Sequence, residues 1–560
     1  MNYKIMNFEL IKKTFVTLLL CHLFIMTTSA AEGDVITITY ANESATVDIP
    51  ESLTGIVMPN VNGAHVVLQS TTTTEEYIYR VTGNTYDGSL TITGAYKLTL
   101  QLAGVSIHST RGAAIDIETG KRVAVVLEEG TVNTLSDCSN GAQKAALYFS
   151  GHPEFEGPGT LNVTGNTKHA ISAKEELELK TTTGTINVLG AADGDGIHCG
   201  KGKIANEHNY FRMEGGIVNI NNVTSDGIDS DDFGCLKING GIINVNVTAD
   251  GGTGLKCDSI LTMTGGMLNI VVSGKDAEGI RTNYDAQLLG GSIVVNVSGD
   301  GSKGIKGKKK DAMSSSLTVL NGGTITFGGT ECTFYLHANN YIDPATGEET
   351  KCRAVSADNV ITRSDGDIEI FAYGSLSNPF HSDAQVSGEG GTLAIHRAPW
   401  LFYYGDFQHD MTAYVELVID DVRVDDYDNY AIGAFIGEEC VGVAVDGYLR
   451  IYSRNLDYND VTFQVFDLEN EKPLYDVYAS KSVHFVADDM ASTYNDPIII
   501  SCISRIPGDV NGDGLVNIAD VTAWVNAFLA NAQDPQLDID GNEIITLNDV
   551  KALVTIILSQ

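Results

Sequence analysis

Apolar and polar residues alternate in short runs that recur at a fixed spacing through the middle of the chain. Pairs of glycines fall 25 residues apart, at 215–216, 240–241, 265–266 and 290–291. A run such as Ile217–Ile220 or Ile242–Val245 follows each pair, with an apolar residue at every second position. This period of two predicts short β-strands whose apolar side chains face a core.

A second marker lies between the glycine pairs. It is a small residue followed by Ile, Leu or Val, as in Gly227-Ile228, Gly254-Leu255 and Gly279-Ile280. Short strands at a period of about 25 residues, without helical periodicity, are typical of one turn of a parallel β-solenoid. The fold predicted for residues 31–395 is therefore a right-handed parallel β-helix, in a protein that is mainly β.

Stacked turns would bring several aspartates together. Equivalent residues on adjacent turns lie about 4.8 Å apart, so Asp195 is expected one turn from Asp226. Asp229 shares that neighbourhood, and Asp231 and Asp232 follow it. Carboxylates at 4–5 Å repel by roughly 1 kcal/mol in water and by several times more near a protein surface. A shared proton or a divalent cation would relieve this repulsion, and calcium favours such oxygen ligands.

A basic stripe is predicted beside these aspartates. Lys256, Arg281 and Lys306 each follow the marker by one position, which places them on successive turns. Calcium beside Lys and Arg suits sugars that carry carboxylates. The metal binds some of the sugar carboxylates, and the basic side chains neutralise the rest of their charge. The alternative is structural: Asp-Gly turns need turn-forming acidic residues, and lysines keep an edge soluble.

The last 55 residues carry two copies of a calcium-loop pattern. Oxygen-bearing side chains stand at loop positions 1, 3, 5, 9 and 12, the spacing that curls a short loop around calcium. The first set is Asp509, Asn511, Asp513, Asn517 and Asp520, and the second is Asp538, Asp540, Asn542, Thr546 and Asp549. Apolar residues at helical spacing follow each loop, so a helix is expected after each.

Short alternating runs without the glycine period fill the segment between these two regions. They include Ala413–Ile419, Ala431–Ile436, Leu449–Tyr452 and Val461–Phe466. Strands at such short spacing predict a β-sandwich over residues 396–505.

The net charge restricts the possible functions of the protein, and the first 30 residues indicate its location. The formal net charge is −37, which excludes sequence-independent nucleic-acid binding as the main task. Lys12 and Lys13 precede an apolar run, Phe15–Met26, that is shorter than the roughly 20 residues of a membrane span. Residues 1–30 therefore read as a signal peptide that is removed, and we expect a secreted or cell-surface bacterial protein without a transmembrane span.

Eight cysteines follow this segment, an even number that permits disulfides in an exported chain. The pairs to test first are Cys332 with Cys352 and Cys440 with Cys502.

The β-helical region resembles a known family. The stretches Tyr79–Ser89, Leu102–Ile107 and Gly130–Asp137, with the Asp-Gly-Ile and Asn-Gly-Gly repeats, look like the bacterial carbohydrate-binding β-helix family. The resemblance implies binding of acidic plant polysaccharide, notably polygalacturonate (pectin), with calcium in a pocket like that of family 9 pectate lyases. It also implies calcium ligation by the aspartates predicted above: Asp195, Asp226 and Asp229, with Asp231 or Asp232 as a further ligand.

The paired loops, residues 506–560, resemble a type I dockerin. The resemblance implies a small helical module that calcium stabilises and that docks on a cohesin partner through loop positions 10 and 11. Those positions are Ile518, Ala519, Leu547 and Asn548. The second loop departs from the pattern because Glu543 stands where glycine is expected, which leaves its calcium occupancy open.

Four functions are open at this point. The first is a non-catalytic, calcium-dependent binder of acidic polysaccharide, tethered by its dockerin to a cellulosome-like assembly for polysaccharide degradation. The second is a calcium-dependent polysaccharide lyase on the same β-helix, with Lys256 or Arg281 as the base. A hydrolase using Asp231 and Asp232 ranks third, since adjacent strand residues point apart. A structural adhesion rod is the fourth.

Overall fold

The computed structural model describes residues 34–200, 210–231, 233–309, 322–338, 351–375, 377–381, 385–387, 390–504 and 506–559, the last without 507, 513, 531, 533, 534, 541 and 543. The expected signal peptide lies outside these residues, as do Asp232, Asp513 and Glu543. The described residues form two compact units. The first runs to Ile220 and includes Ser230–Gly234, and the second comprises Asn221–Asp229 and the residues from Cys235 onward.

Strands account for most of the chain up to residue 398. The first nineteen are β1 (Val35–Ala41), β2 (Ser44–Asp48), β3 (Val57–Asn62), β4 (Ala64–Ser70), β5 (Ile78–Thr85), β6 (Gly88–Thr93), β7 (Leu98–His108), β8 (Ile115–Glu118), β9 (Val123–Leu127), β10 (Val132–Ser136), β11 (Ala145–Phe149), β12 (Pro153–Glu156), β13 (Thr160–Gly165), β14 (His169–Ala173), β15 (Leu177–Leu179), β16 (Thr185–Ala191), β17 (Ile197–Cys199), β18 (Tyr210–Met213) and β19 (Ile217–Ile220). The next fourteen are β20 (Ile228–Ser230), β21 (Cys235–Ile238), β22 (Ile242–Val247), β23 (Thr253–Cys257), β24 (Leu261–Val272), β25 (Glu278–Thr282), β26 (Ala286–Val297), β27 (Lys303–Gly307), β28 (Ile325–His337), β29 (Cys352–Ala357), β30 (Val360–Tyr373), β31 (Ser377–Phe380), β32 (Gln385–Ser387) and β33 (Leu393–Ala398).

Parallel pairing of strands far apart in sequence builds the first unit. One ladder passes through β4, β6, β8, β11, β14 and β17, and a second through β5, β7, β9, β12, β15 and β18. Asparagine side chains at the same position of successive repeats form a column on one face of the sheet. Asn187 Nδ2 donates to Asn162 Oδ1, and Asn219 Nδ2 donates to Asn187 Oδ1, each at 2.8 Å. The predicted stacking of repeats in register is confirmed here.

The second unit has the same kind of construction, with strands one repeat apart. β23, β25, β27, β29 and β31 form one parallel ladder, and β24, β26, β28 and β30 form another. The second glycine of each pair has a positive φ, +81° at Gly241, +87° at Gly266 and +88° at Gly291. Glycine recurs there because a side chain would be strained in this conformation.

The core of both units consists of the inward apolar residues of the strands. Ile197, Leu255, Ile280 and Ile305 have no exposed surface, and they are residues of the predicted marker. The mainly β prediction with large parallel sheets is confirmed.

Two further sheets follow the parallel strands, one mixed and the other antiparallel. Their strands are β34 (His409–Ile419), β35 (Val422–Arg423), β36 (Tyr430–Ile436), β37 (Glu439–Val443), β38 (Tyr448–Ser453), β39 (Asp460–Asp467), β40 (Lys472–Pro473), β41 (Tyr475–Ala479), β42 (Val483–His484) and β43 (Ile498–Ile503). The four strands predicted in this segment are confirmed as parts of β34, β36, β38 and β39. One hydrophobic core contains residues of both sheets, such as Leu417 and Ala434.

The end of the chain is helical. The helices are α1 (Ile518–Leu529) and α2 (Leu547–Ser559), which confirms the helix predicted after each loop. Trp524 is fully buried between the loops and donates its indole N–H to Leu537 O at 2.7 Å. Among the described residues, neither helix has the length and apolar character needed to cross a bilayer.

The two disulfides proposed from the sequence are wrong. Cys332, Cys352, Cys440 and Cys502 are all free thiols in the structure. Each is buried, and Cys352 Sγ donates to Gly299 O at 2.8 Å. These cysteines therefore act as small core residues.

Candidate functional site

Two of the predicted aspartates meet a lysine in the second unit. Asp226 precedes β20, Asp229 lies in it, and Lys256 lies in β23. The Lys256 ammonium donates to Asp226 Oδ2 at 2.9 Å and to Asp229 Oδ2 at 3.0 Å. Asp226 Oδ1 also accepts the backbone N–H of Thr253 at 2.9 Å. Both carboxylates are buried, with 6% and 4% of their surface exposed.

The charge balance of this cluster keeps Lys256 protonated. Burial by itself would lower the pKa of Lys256, but the adjacent carboxylates of Asp229 and Asp226 outweigh it and raise the pKa above its usual value. Among the described residues, the buried carboxylates of Asp226 and Asp229 share the one ammonium of Lys256. A cation can bind there, and a catalytic base, which needs a lowered pKa, does not fit Lys256.

The basic stripe forms as predicted, because Lys256, Arg281 and Lys306 are register partners in β23, β25 and β27. Each has an acidic neighbour. Arg281 Nη1 lies 3.5 Å from Glu278 Oε2, and Lys306 Nζ lies 3.3 Å from Asp358 Oδ1. Among the described residues, the buried Arg281 Nε has no hydrogen-bond partner, so one donor remains for a ligand.

Lys303 and Lys308 have a lowered pKa, whereas the pKa of Lys256 is raised. Burial is the main cause, and Glu278 only partly offsets it. Lys303 pairs in register with Glu278, and its ammonium donates to Gly301 O at 2.9 Å. The sequence pattern did not indicate that Lys303 is buried, because the depth of the residue depends on the neighbouring coil.

Asp195 belongs to the first unit, where its neighbours are histidines. His169 Nδ1 lies 3.1 Å and His198 Nδ1 3.0 Å from Asp195 Oδ2, and the two rings stack with centroids 4.4 Å apart. Burial would raise the pKa of Asp195, but the hydrogen bonds and charges of both imidazoles outweigh it and lower the pKa. Burial lowers the pKa of His169.

The histidines change the chemistry expected at Asp195. Imidazole nitrogens suit transition metals, whereas calcium takes oxygen ligands. The sequence held a signal for them, since His169 precedes one marker, Ala170-Ile171, and His198 follows the next. Asp231, also in the first unit, donates its backbone N–H to Cys199 O at 2.9 Å. The convergence of all the predicted aspartates on one calcium stays a prediction.

The two C-terminal loops repeat one hydrogen-bond pattern around the aspartate at position 12. Asp520 Oδ1 accepts the N–H of Val510 and of Asn511, and Oδ2 accepts that of Asn517. Asp549 Oδ1 accepts the N–H of Ile539 and of Asp540, and Oδ2 accepts that of Thr546. Both carboxylates are fully buried, so each closes its loop.

Other predicted ligands of the two loops are also placed by the structure. In the second loop, one carboxylate oxygen each of Asp538, Asp540 and Asp549 lies within 4.8 Å of the others. In the first loop, Asp509 accepts the N–H of Gly512 and of Gly514, each at 2.9 Å. Burial would raise the pKa of Asp549, but the backbone N–H groups it accepts outweigh this and lower it, so it stays ionised.

The predicted partner-contact positions are exposed. Ile518 at the start of α1 is 72% exposed, and Leu547 at the start of α2 is 64% exposed. Ala519 and Asn548, which follow them, are also exposed. Matching apolar side chains thus face solvent at the same position of both loops.

Three comparisons with known proteins bear on these sites. A family model described as "Carbohydrate-binding domain-containing protein" matches residues 68–399. A protein of that same description from Acetivibrio thermocellus is 27% identical over 139 residues, which are 23% of this chain and 48% of the relative. The chain thus spans about half the length of that curated relative.

Two solved structures are more distant. A gadolinium derivative of a polysaccharide lyase-like protein from C. thermocellum has 16% identity and a TM-score of 0.26, covering 65% of this chain and 96% of its own. A type II cohesin–X-dockerin complex from Acetivibrio cellulolyticus has 17% identity and a TM-score of 0.14, covering 26% of this chain and 94% of its own. Neither score indicates a shared overall fold.

Proposed function

The chain belongs to the family of carbohydrate-binding domain-containing proteins, and from this premise we propose that it binds acidic polysaccharide through calcium. The proposed ligand is a polyuronate such as polygalacturonate. The protein would act outside the bacterial cell, and its C-terminal module would tether it to a cohesin-bearing assembly.

The pairing of buried Asp226 and Asp229 next to the stripe Lys256, Arg281 and Lys306 carries this proposal. Two buried carboxylates lie side by side against the Lys256 ammonium, which pairs with both of them. The basic side chains continue away from it along successive strands. A polymer with a carboxylate on every sugar matches a stripe with one cation on every coil.

The donor set fits calcium in kind. Asp226 and Asp229 offer hard carboxylate oxygens, and calcium takes six to eight oxygens, which may include backbone carbonyls and waters. Bound calcium would supply positive charge for the ligand's carboxylates. Lys256 would hold the two aspartates in place, and Arg281 would donate its Nε hydrogen to a sugar oxygen.

A binder is favoured over the lyase because Lys256 stays protonated in this cluster. A lyase must remove the proton next to the sugar carboxylate, and a protonated lysine cannot accept it. Lys303 would be the better base, since its pKa is lowered. Lys303 is therefore the first base to test for a lyase, and Lys303→Met separates the two functions.

Retention on insoluble polygalacturonate, with calcium and with a chelator, tests the proposal. We expect retention only with calcium, and its loss in the double variant Asp226→Asn, Asp229→Asn. The matched control is Asp425→Asn, Asp426→Asn, which removes the same charge from exposed residues outside the parallel sheets. Equal retention of both double variants would refute the site.

The same samples decide between binder and lyase. Ultraviolet absorbance of unsaturated product should stay at the buffer level while binding occurs. Product that appears with the native protein and disappears in Lys303→Met would establish the lyase instead.

A further inference from the structure

An aromatic cavity of about 320 Å³ lies in the second unit, away from the acidic cluster. It is lined by the ends of β28 and β30, by the segment 402–404 and by β38. Its lining includes Tyr335, His337, Phe371, Tyr403, Tyr404 and Arg450. The volume is at the lower end of the roughly 300–1,000 Å³ typical of ligand pockets, enough for a mono- or disaccharide.

Three tyrosines and a phenylalanine give the cavity flat walls. Tyr335 stacks on Phe371, its register partner, with centroids 5.0 Å apart and planes at 7°. The rings of Tyr404 and Tyr403 meet Tyr335 at steep angles, with centroids 5.4 Å and 6.3 Å away. Rings at such angles form adjoining walls that can take the C–H face of a flat ligand, and their hydroxyl groups can hydrogen-bond with it.

One polar atom in the wall lacks a partner. His337 Nδ1 lies 2.9 Å from Phe402 O, and because a carbonyl only accepts, Nδ1 carries the proton and donates it. Nε2 of the neutral ring is then an acceptor, and it is buried without a hydrogen-bond partner among the described residues. Burial lowers the pKa of His337 to about 4, which keeps this acceptor available at neutral pH.

The charge at the mouth is balanced. Arg450 Nε lies 3.1 Å from Asp410 Oδ2, so the arginine is already paired with a carboxylate. The mouth is open, because Tyr404 is 42% exposed and Tyr448 is 39% exposed. A net cationic or anionic ligand gains little from such a rim, whereas a neutral ligand with hydroxyl donors matches it.

We propose that this cavity is a second carbohydrate site, in which a neutral pyranose packs against the adjoining walls formed by Tyr335 and Tyr404 and donates a hydroxyl hydrogen to His337 Nε2. Sugars with equatorial hydroxyls fit best, because their axial C–H bonds form flat apolar faces. The site is independent of calcium and of Asp226 and Asp229, so it extends the proposed function without resting on the acidic-glycan site. The protein would then bind two chemically different glycans at once.

Calorimetric titration of the full chain with cellotetraose, a neutral equatorial oligosaccharide, tests this site. We expect binding that a chelator does not change. Tyr404→Ala should weaken it about tenfold, the loss of one good aromatic contact. The matched control is Tyr458→Ala, a tyrosine that is 68% exposed and stacks on His484 outside the cavity; it should leave the affinity unchanged.

Two further variants separate this site from others. His337→Gln keeps a donor for Phe402 O and an acceptor for the sugar, so it should bind within a few-fold of the native protein, whereas His337→Leu should lose binding. Asp226→Asn, Asp229→Asn should bind cellotetraose normally even if it loses polygalacturonate.

Several results would overturn the assignment. The first is that cellotetraose gives no heat of binding. The second is that Tyr404→Ala and Tyr458→Ala weaken binding equally, and the third is that binding requires calcium. Stronger binding of tetragalacturonate than of cellotetraose in the presence of chelator would refute the neutral ligand class.

Discussion

The ammonium nitrogen of Lys256 lies 3.0 Å from Oδ2 of Asp229, although 27 residues separate the two in the sequence. They meet because one repeat returns the chain to the neighbouring position in the parallel ladder. The lysine thereby becomes a counter-charge for a buried acidic pair.

Replacing Lys256 should make the region depend on calcium. In Lys256→Gln, Asp226 and Asp229 lose their counter-charge, and we expect the free energy of unfolding to fall by roughly 3 kcal/mol in chelator. Calcium should recover more stability in this variant than in the native protein, because it replaces the missing positive charge. Denaturant unfolding with calcium and with chelator measures both values.

Lys306→Gln is the control for this experiment, since its partner Asp358 is 38% exposed. It should cost about 1 kcal/mol or less. An equal gain from calcium in native protein and Lys256→Gln would contradict the prediction.

A glycine in the ladder should not tolerate a side chain. A Cβ on Gly279 would lie 2.5 Å from Gly304 O, a backbone atom of the next strand. The strands must move apart to accept it, so we expect Gly279→Ala to cost about 1–3 kcal/mol of stability. Gly112→Ala, where a Cβ meets nothing within 4 Å, should be neutral or slightly stabilising in the same thermal unfolding experiment.

His337 should make the protein less stable in mild acid. Its pKa of about 4 lies below the value of about 6.5 expected in the unfolded chain. As the pH falls through that window the unfolded state binds the proton first, so the free energy of unfolding should drop by up to roughly 3 kcal/mol. Unfolding in urea at pH 7 and pH 4.5 measures the drop.

His337→Gln should show a smaller drop, whereas His108→Gln, which replaces an exposed histidine, should behave like the native protein. Identical pH dependence in all three proteins would show that His337 is not the group responsible.

The exposed residues at loop position 10 should decide partner capture. Ile518→Asp with Leu547→Asp should abolish binding to a cohesin while the calcium-dependent helix content stays the same, because both side chains face solvent. Pull-down and circular dichroism of the full chain measure the two properties. Leu558→Asp, at an 81% exposed residue of α2 outside the loops, should still be captured; capture of the double variant would refute this surface.

Much of the fold could be predicted from the sequence because its determinants are periodic. The 25-residue spacing is enough to predict that Lys256, Arg281 and Lys306 stack on successive strands, and the structure confirms it. The helices after the loops were also predictable, since apolar spacing within a few residues specifies a buried face.

The site was only partly predictable, because the burial and pairing of its charged side chains depend on residues that no local sequence pattern specifies. Position in the repeat did not indicate that Lys256 would pair with Asp226, and it placed His169 and His198 near the marker without indicating that both would contact Asp195. The disulfide predictions failed for the same reason: an even count of cysteines carries no information about distance.

The amino-acid pattern by itself determined the strands, their register and the duplicated loops, since each follows from the spacing of side chains along one chain. Only the tertiary structure decided which charges neutralise one another and that Tyr335 and Tyr404, 69 residues apart, share a cavity. Charge pairing and the shared cavity both depend on distances between segments that follow no common repeat and on how deeply their side chains are buried. These distances and depths are set only when the chain folds.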